Sequence, residues 1–230
     1  MTRTKDQLSP VVNKQFDTVV HLFATNDMVS LHNKRMLKEL NHPIAISRAT
    51  TTTSKTVVDA DNKQLEKQVL LSPGQRIMLT TNIWTQTRLV NGALGKIIEI
   101  IYSSDSMPPD IPMYIMVKFD NYSGPQWHPN DPKLVPITPV SLGNLRQLPI
   151  KMAWAVTIHK AQGLTLQKAT INIGATERQG LTFTVVSRVK CLEDLQIDQA
   201  FSYDWYAKME NNPYTVLRKK EEAQLQQLSR

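Results

Sequence analysis

The sequence predicts an α/β fold into which a small antiparallel β-barrel is inserted, and three observations carry that prediction. A buried-strand pattern, a polar turn and an amphipathic stretch follow one another over residues 18–40, the order of an α/β unit. The middle of the chain holds short strand patterns, tight turns and prolines at 108, 109, 112, 125, 129, 132, 136 and 139, a combination that suits a small barrel better than a continued α/β layer. Buried-strand character then returns at Ala153–Ile158.

Taken in order, Leu8–Phe16 is weakly helical, and Thr18-Val19-Val20-His21-Leu22-Phe23-Ala24 reads as a buried strand. Thr25-Asn26-Asp27 supplies turn and cap chemistry. Met28, Leu31, Met36, Leu37 and Leu40 then recur at helical spacing until Asn41-His42-Pro43 ends the helix. Ile44–Ile46 suits a further strand. The Thr-rich Ala49–Lys55 and the polar Asp59–Asn62 read as a loop and a boundary. Pro73-Gly74 marks a turn, Arg76–Thr80 a strand, Asn91-Gly92 a tight turn, and Lys96–Tyr102 and Met113–Phe119 two more strands. Arg218–Arg230 is a charged, Gln-rich tail. The expected divisions are 1–70 and 149–208 for the two parts of the α/β domain, 71–148 for the inserted barrel, and 209–230 for the tail.

Bulk properties frame what such a chain can do. Its 230 residues, 41% hydrophobic and 20% charged, suffice for a sizeable core. The 27 basic against 20 acidic residues give a net charge of +7, which favours a polyanionic partner without selecting one. The single cysteine, Cys191, excludes an internal disulfide, and its apolar surroundings in sequence suggest a buried thiol. No apolar run approaches the roughly 20 residues of a membrane helix, and Met1–Lys5 leads into no signal-peptide core. An intracellular chain is expected. The five histidines have no Cys or carboxylate partners at ligand spacing, so no metal site is expected.

Two segments stand out. Val156-Thr157-Ile158-His159-Lys160-Ala161-Gln162-Gly163-Leu164-Thr165-Leu166 places a polar loop closed by glycine after an apolar strand. Loops at strand carboxyl ends are where α/β sheets bind ligands; Thr and Lys can hold phosphate oxygens, and glycine admits a close backbone approach. A turn with incidental polar residues has the same composition. Thr182-Phe183-Thr184-Val185-Val186-Ser187-Arg188 ends an apolar run in Ser-Arg. An arginine leaving a core element onto a cleft can stabilise a transferring γ-phosphoryl group, and an arginine in a surface ion pair reads identically.

Together these segments resemble the late motifs (V and VI) of superfamily 1 DNA helicases in the 5′-to-3′ branch, within the RecD-like group that includes the petite-integration-frequency helicases. Two further segments agree with that resemblance. His21-Leu22-Phe23-Ala24-Thr25-Asn26 is similar to the strand and loop opening the second motor lobe. Leu71–Asn82 with Leu89–Gly95 is similar to the start of the SH3-like barrel inserted there. The resemblance covers roughly residues 18–203, in the family's order. It implies a RecA-like second motor lobe with an inserted SH3-like β-barrel. It places Thr157, His159 and Lys160 toward single-stranded DNA, with Thr25 and Asn26 on a second DNA-facing loop. It makes Gln162 and Gly163 the link to the nucleotide, and Arg188 both a nucleotide-binding residue and the catalytic arginine finger of a complete enzyme. Trp84, beside a barrel turn, is the better of four tryptophans for stacking on a base; Trp154 suits the core, and Trp127 and Trp205 remain candidates. Ala161 stands where the family usually carries serine.

The family's chemistry also requires ATP, Mg²⁺, a G-x-x-x-x-G-K-[ST] phosphate loop and an acidic pair. None of the eight glycines makes that spacing: Gly95-Lys96 is followed by Ile97, and Val90 stands where the first glycine belongs. The chain alone is expected to bind neither ATP nor Mg²⁺ stably and not to hydrolyse ATP. The expected partners are single-stranded DNA and a first, P-loop-bearing lobe, the chain being a helicase fragment and its location nuclear. The alternatives are a non-catalytic basic nucleic-acid-binding module and an inert helicase remnant.

Overall fold

The computed structural model describes residues 3–51, 64–164, 166–173, 181–199, 216–221 and 224, excepting the side chains of 181–183. Most of the expected Thr-rich loop, Trp205 and most of the tail lie outside these residues; 216–221 are helical. In chain order the elements are α1 (Pro10–Lys14), β1 (Val20–Phe23), α2 (Asn26–Glu39), β2 (Ala45–Arg48), β3 (Thr50–Thr51), β4 (Gln68–Leu71), β5 (Arg76–Leu79), β6 (Leu94–Ile101) and β7 (Tyr114–Phe119). There follow β8 (Leu134–Ile137), β9 (Val140–Leu142), β10 (Leu145–Gln147), β11 (Ile150–Met152), β12 (Ala155–Thr157), β13 (Ala169–Asn172), α3 (Leu181–Val186) and β14 (Leu195–Ile197). They fall into two compact units, Met1–Thr25 with Thr157–Arg230, and Asn26–Val156.

In the first unit β1, β13 and β14 pair in parallel, Val20 opposite Ala169 and Ala169 opposite Leu195. Parallel strands covered on both faces read as continuous apolar runs, which is why Val20–Phe23 is legible without alternation; Leu22 and Ile171 are fully buried. The polar residues of this sheet are paired. Thr170 Oγ1 donates to Gln196 Oε1 at 3.1 Å, and Gln196 Nε2 donates to Asn13 Oδ1 at 2.7 Å. Asn13 in turn donates to the Lys5 carbonyl at 3.0 Å. The Ile197 amide donates to the Arg3 carbonyl at 2.8 Å, so the N-terminal segment covers the edge that β14 would otherwise expose.

The second unit is built on a five-stranded antiparallel sheet in the order β11-β5-β6-β7-β8, where short strands with turn signals were expected. Its core gathers Leu71, Ile77, Leu79, Ile97, Ile115, Val117, Phe119 and Ile150, each 2% exposed or less. Gly95 is required by close approach: a Cβ there would lie 2.7 Å from Val117 Cγ1 and 3.1 Å from the Phe119 ring. Beside this sheet, β2 pairs with β4, and β10 pairs with β3 on one side and β9 on the other, all antiparallel. Buried Ser47 and Gln147 bind each other across these strands, hydroxyl to amide oxygen at 3.0 Å and amide nitrogen to the Ser47 carbonyl at 3.2 Å.

Three expectations need correction. Leu31, expected on the buried stripe of α2, is 74% exposed; the buried face is turned toward His32, Asn33 and Leu37. Thr50-Thr51, expected in a loop, form β3 because Leu145 and Arg146 offer them backbone partners. The strand expected to run through Ile158 stops at Thr157, and a 3₁₀ turn begins there.

Candidate functional site

The site is assembled from the end of β12 onward. Thr157 is extended, at φ −72° and ψ 148°, and Ile158–Ala161 wind into a 3₁₀ turn. With three residues per turn, positions i and i+3 share a face; here that face is Ile158 and Ala161, both fully buried. His159, Lys160, Gln162 and Gly163 are thereby left exposed. The Gln162 amide donates to the His159 carbonyl at 3.3 Å and the Leu164 amide to the Ala161 carbonyl at 3.0 Å. Gly163 sits at φ +85° with nothing within 4 Å of a Cβ position. The glycine is thus demanded by backbone handedness and not by crowding. Ala161, buried in the core, offers no hydroxyl that would need a partner. Thr157 is only 7% exposed, because every residue of β12 is buried. Of the three residues expected toward DNA, only His159 and Lys160 therefore reach solvent.

Arg188 follows α3, whose turn packs against the 3₁₀ segment. Its guanidinium folds back over the helix end, Nε donating to the Thr184 carbonyl at 2.8 Å and Nη2 to Ser187 Oγ at 2.9 Å. Ser187 Oγ donates to the same carbonyl at 3.0 Å. Unpaired carbonyls at a helix end attract such donors. The Leu166 amide donates to the Arg188 carbonyl at 2.9 Å, tying the turn to the chain just past Gly163. Gln162, Gly163 and Arg188 thus lie in the same unit, Arg188 bonded through its carbonyl to Leu166, three residues past Gly163. Thr25 and Asn26 are exposed where β1 passes into α2.

Trp84 belongs to the second unit, is 38% exposed, and is held in a tight loop by amide–carbonyl bonds in both directions with Leu89, at 3.0 and 3.1 Å. Sequence reasoning ranked Trp127 below it, yet Trp127 is 56% exposed. Its indole N–H donates to the Tyr122 hydroxyl at 2.9 Å, which donates to the Pro125 carbonyl at 2.8 Å. Trp154 is buried, as expected for a core residue. Among the described residues no three His, Cys, Asp or Glu side chains gather into a metal site.

Cys191, expected to be buried, is exposed, because the residues around it form a surface turn closed by the Asp194 amide on the Cys191 carbonyl at 3.2 Å. Its thiol donates to Asp194 Oδ2 at 2.8 Å. That hydrogen bond, reinforced by desolvation and the carboxylate's charge, raises the thiol pKa. The neutral thiol therefore persists to higher pH, and the nucleophilic thiolate is scarce. Iodoacetamide is expected to alkylate Cys191 several-fold more slowly than a free cysteine at about pH 8, and Asp194→Asn to speed it. Equal rates for the two proteins would show that Asp194 does not restrain the thiol.

No family model matches the chain. It is 28% identical over 172 residues to the ATP-dependent DNA helicase PIF1 of Danio rerio, across 74% of this chain and 26% of that protein. Identity and coverage are the same for the Homo sapiens protein of that name. The chain spans about a quarter of the length of these relatives. Among solved structures, Pif1 helicase from Candida albicans superposes with a TM-score of 0.65 at 19% identity, over 90% of this chain and 50% of that one. Bacteroides Pif1 bound to ssDNA superposes with a TM-score of 0.56 at 24% identity, over 89% and 45%.

Proposed function

We propose that this chain, related in sequence and fold to Pif1-like helicases, is the part of an ATP-dependent 5′-to-3′ DNA helicase that grips single-stranded DNA and presents an arginine finger. In this reading the parallel sheet is a RecA-like second motor lobe, and the five-stranded antiparallel sheet belongs to an inserted SH3-like barrel, with a DNA-containing compartment, in a nucleated cell the nucleus, as its location. The observation that carries it is that the exposed His159-Lys160 turn, with Gln162 and Gly163, lies a few residues before Leu166, whose amide donates to the Arg188 carbonyl. A shift at one end of so short a segment is felt at the other, which a motor linking DNA grip to nucleotide state requires.

Two solved structures of Bacteroides Pif1 support the ligands. Bacteroides Pif1 structures are described in complex with ADP-AlF4 and in complex with ADP-AlF3 and ssDNA. In this chain Arg188 and Gln162 supply donors suited to a phosphate. Mg²⁺ finds no set of acidic ligands among the described residues, so in this reading its ligands come from outside them, with the partner P-loop lobe. Thr25, Asn26 and Trp84, all solvent-facing, line further DNA contacts; Thr157 supports the grip from within the core. The net charge of +7 and, among the described residues, two exposed tryptophans also suit a second reading, a binding module without catalysis.

The test is a salt titration of binding to a labelled oligothymidylate. Affinity is expected to fall linearly on a log–log plot, since each neutralised phosphate releases counterions. Lys160→Ala should flatten the slope by about one unit if Lys160 meets one phosphate. No binding at low salt, or an unchanged slope with Lys160→Ala, would remove the turn from the DNA interface. DNA binding in which Arg188→Ala leaves a full-length helicase's ATPase intact would favour the module.

A further inference from the structure

We infer that Asn33 is a positioning residue that pins β12 in register and so sets where the His159-Lys160 turn begins; the inference rests on that turn gripping DNA. Asn33 lies on α2, two turns beyond the exposed Asn26, and is 4% exposed. Its carboxamide makes two bonds to one backbone residue: Nδ2 donates to the Ala155 carbonyl at 3.0 Å, and the Ala155 amide donates to Oδ1 at 2.8 Å. Both contacts lie inside the second unit. The side chain thus does for Ala155 what a neighbouring strand would do, satisfying an N–H and a C=O together.

The choice of residue is informative. A buried amide is costly unless bonded, and leucine would pack a helix face more cheaply. What asparagine adds is alignment. Backbone groups of successive strand residues point to opposite sides, so a one-residue slip would turn the Ala155 pair away and offer Asn33 no partner. The same slip would move the start of the 3₁₀ turn by about 3.3 Å. Thr157 follows Ala155 by two residues and Lys160 by five. From the middle of α2, Asn33 therefore fixes the strand residue from which the chain runs on to Lys160.

Hydrogen exchange on the intact chain tests this without DNA. In the native protein the Ala155 amide should exchange as slowly as amides of β6 and β7, although its partner is a side chain. Asn33→Leu should accelerate exchange in peptides spanning 155–164 by about tenfold or more while leaving 94–119 unchanged, and should weaken oligothymidylate binding about fivefold or more. An Ala155 amide that exchanges freely in the native chain overturns the inference. So does unchanged exchange at 155–164 in the variant, or acceleration spread equally over 94–119, the mark of a merely structural residue. If the variant does not fold, the native-chain measurement decides. If the native chain binds no oligothymidylate, the DNA reading fails while the exchange data still decide the brace.

Discussion

Arg188→Ala in a full-length helicase context is expected to lower DNA-stimulated ATP hydrolysis about a thousandfold or more, the range over which arginine fingers act, with single-stranded DNA affinity changed less than about threefold. The asymmetry follows from geometry. The Arg188 backbone holds the segment through its carbonyl, which accepts from the Leu166 amide at 2.9 Å, and a substitution to alanine keeps that bond. The guanidinium is lost, with its bonds to the Thr184 carbonyl and Ser187 Oγ. Those bonds are partly exposed and contribute on the order of 1 kcal/mol each, so a control melt should shift only slightly. Arg188→Lys should restore little activity, because a lysine cannot reproduce the planar, forked donor set. Hydrolysis that survives Arg188→Ala within about threefold would refute the finger assignment. Loss of DNA binding in parallel would show that Arg188 supports the loop and not the chemistry.

What could be read in advance depended on how local its cause was. β1, β5, β6 and β7 were legible because burial on one or both faces writes its own period into four to eight residues. β3 was not, because Thr50-Thr51 become a strand only through Leu145 and Arg146, nearly a hundred positions away. The stripe on α2 was found but centred wrongly. Hydrophobicity alone favours Leu31, whereas the face that turns inward carries Asn33, a polar residue whose partner is a distant backbone. At the site, the exposed trio His159, Lys160 and Gln162 follows from the threefold period of the 3₁₀ turn. That period was hidden, since the flanking residues look like strand. No sequence pattern could show that Arg188 would be bonded to its own helix end, or that Asp194 would hold the Cys191 thiol.

Phe119→Ala is expected to destabilise the second unit by about 3–5 kcal/mol, the usual cost of removing a fully packed phenylalanine. Phe119 is 2% exposed and closes β7 against β6 and β8, its amide donating to the Lys133 carbonyl at 3.0 Å. Its ring occupies the space left by Gly95, where any Cβ would stand 3.1 Å from it. The sheet cannot relax into the cavity, because Gly95 supplies no side chain to follow and Val117 and Ile115 are already packed with the same cluster. Since domains rarely exceed about 5–15 kcal/mol of total stability, the substitution would remove a large part of what holds the unit folded. Phe119→Leu, which keeps much of the volume, should cost less than half as much. The measurement is urea unfolding read by tryptophan fluorescence, with Trp84, Trp127 and Trp154 all in this unit. A shift below about 1 kcal/mol for Phe119→Ala would mean that the ring is not the keystone of the antiparallel core. A full shift would support the reading that Gly95 and Phe119 are one packing solution shared between β6 and β7.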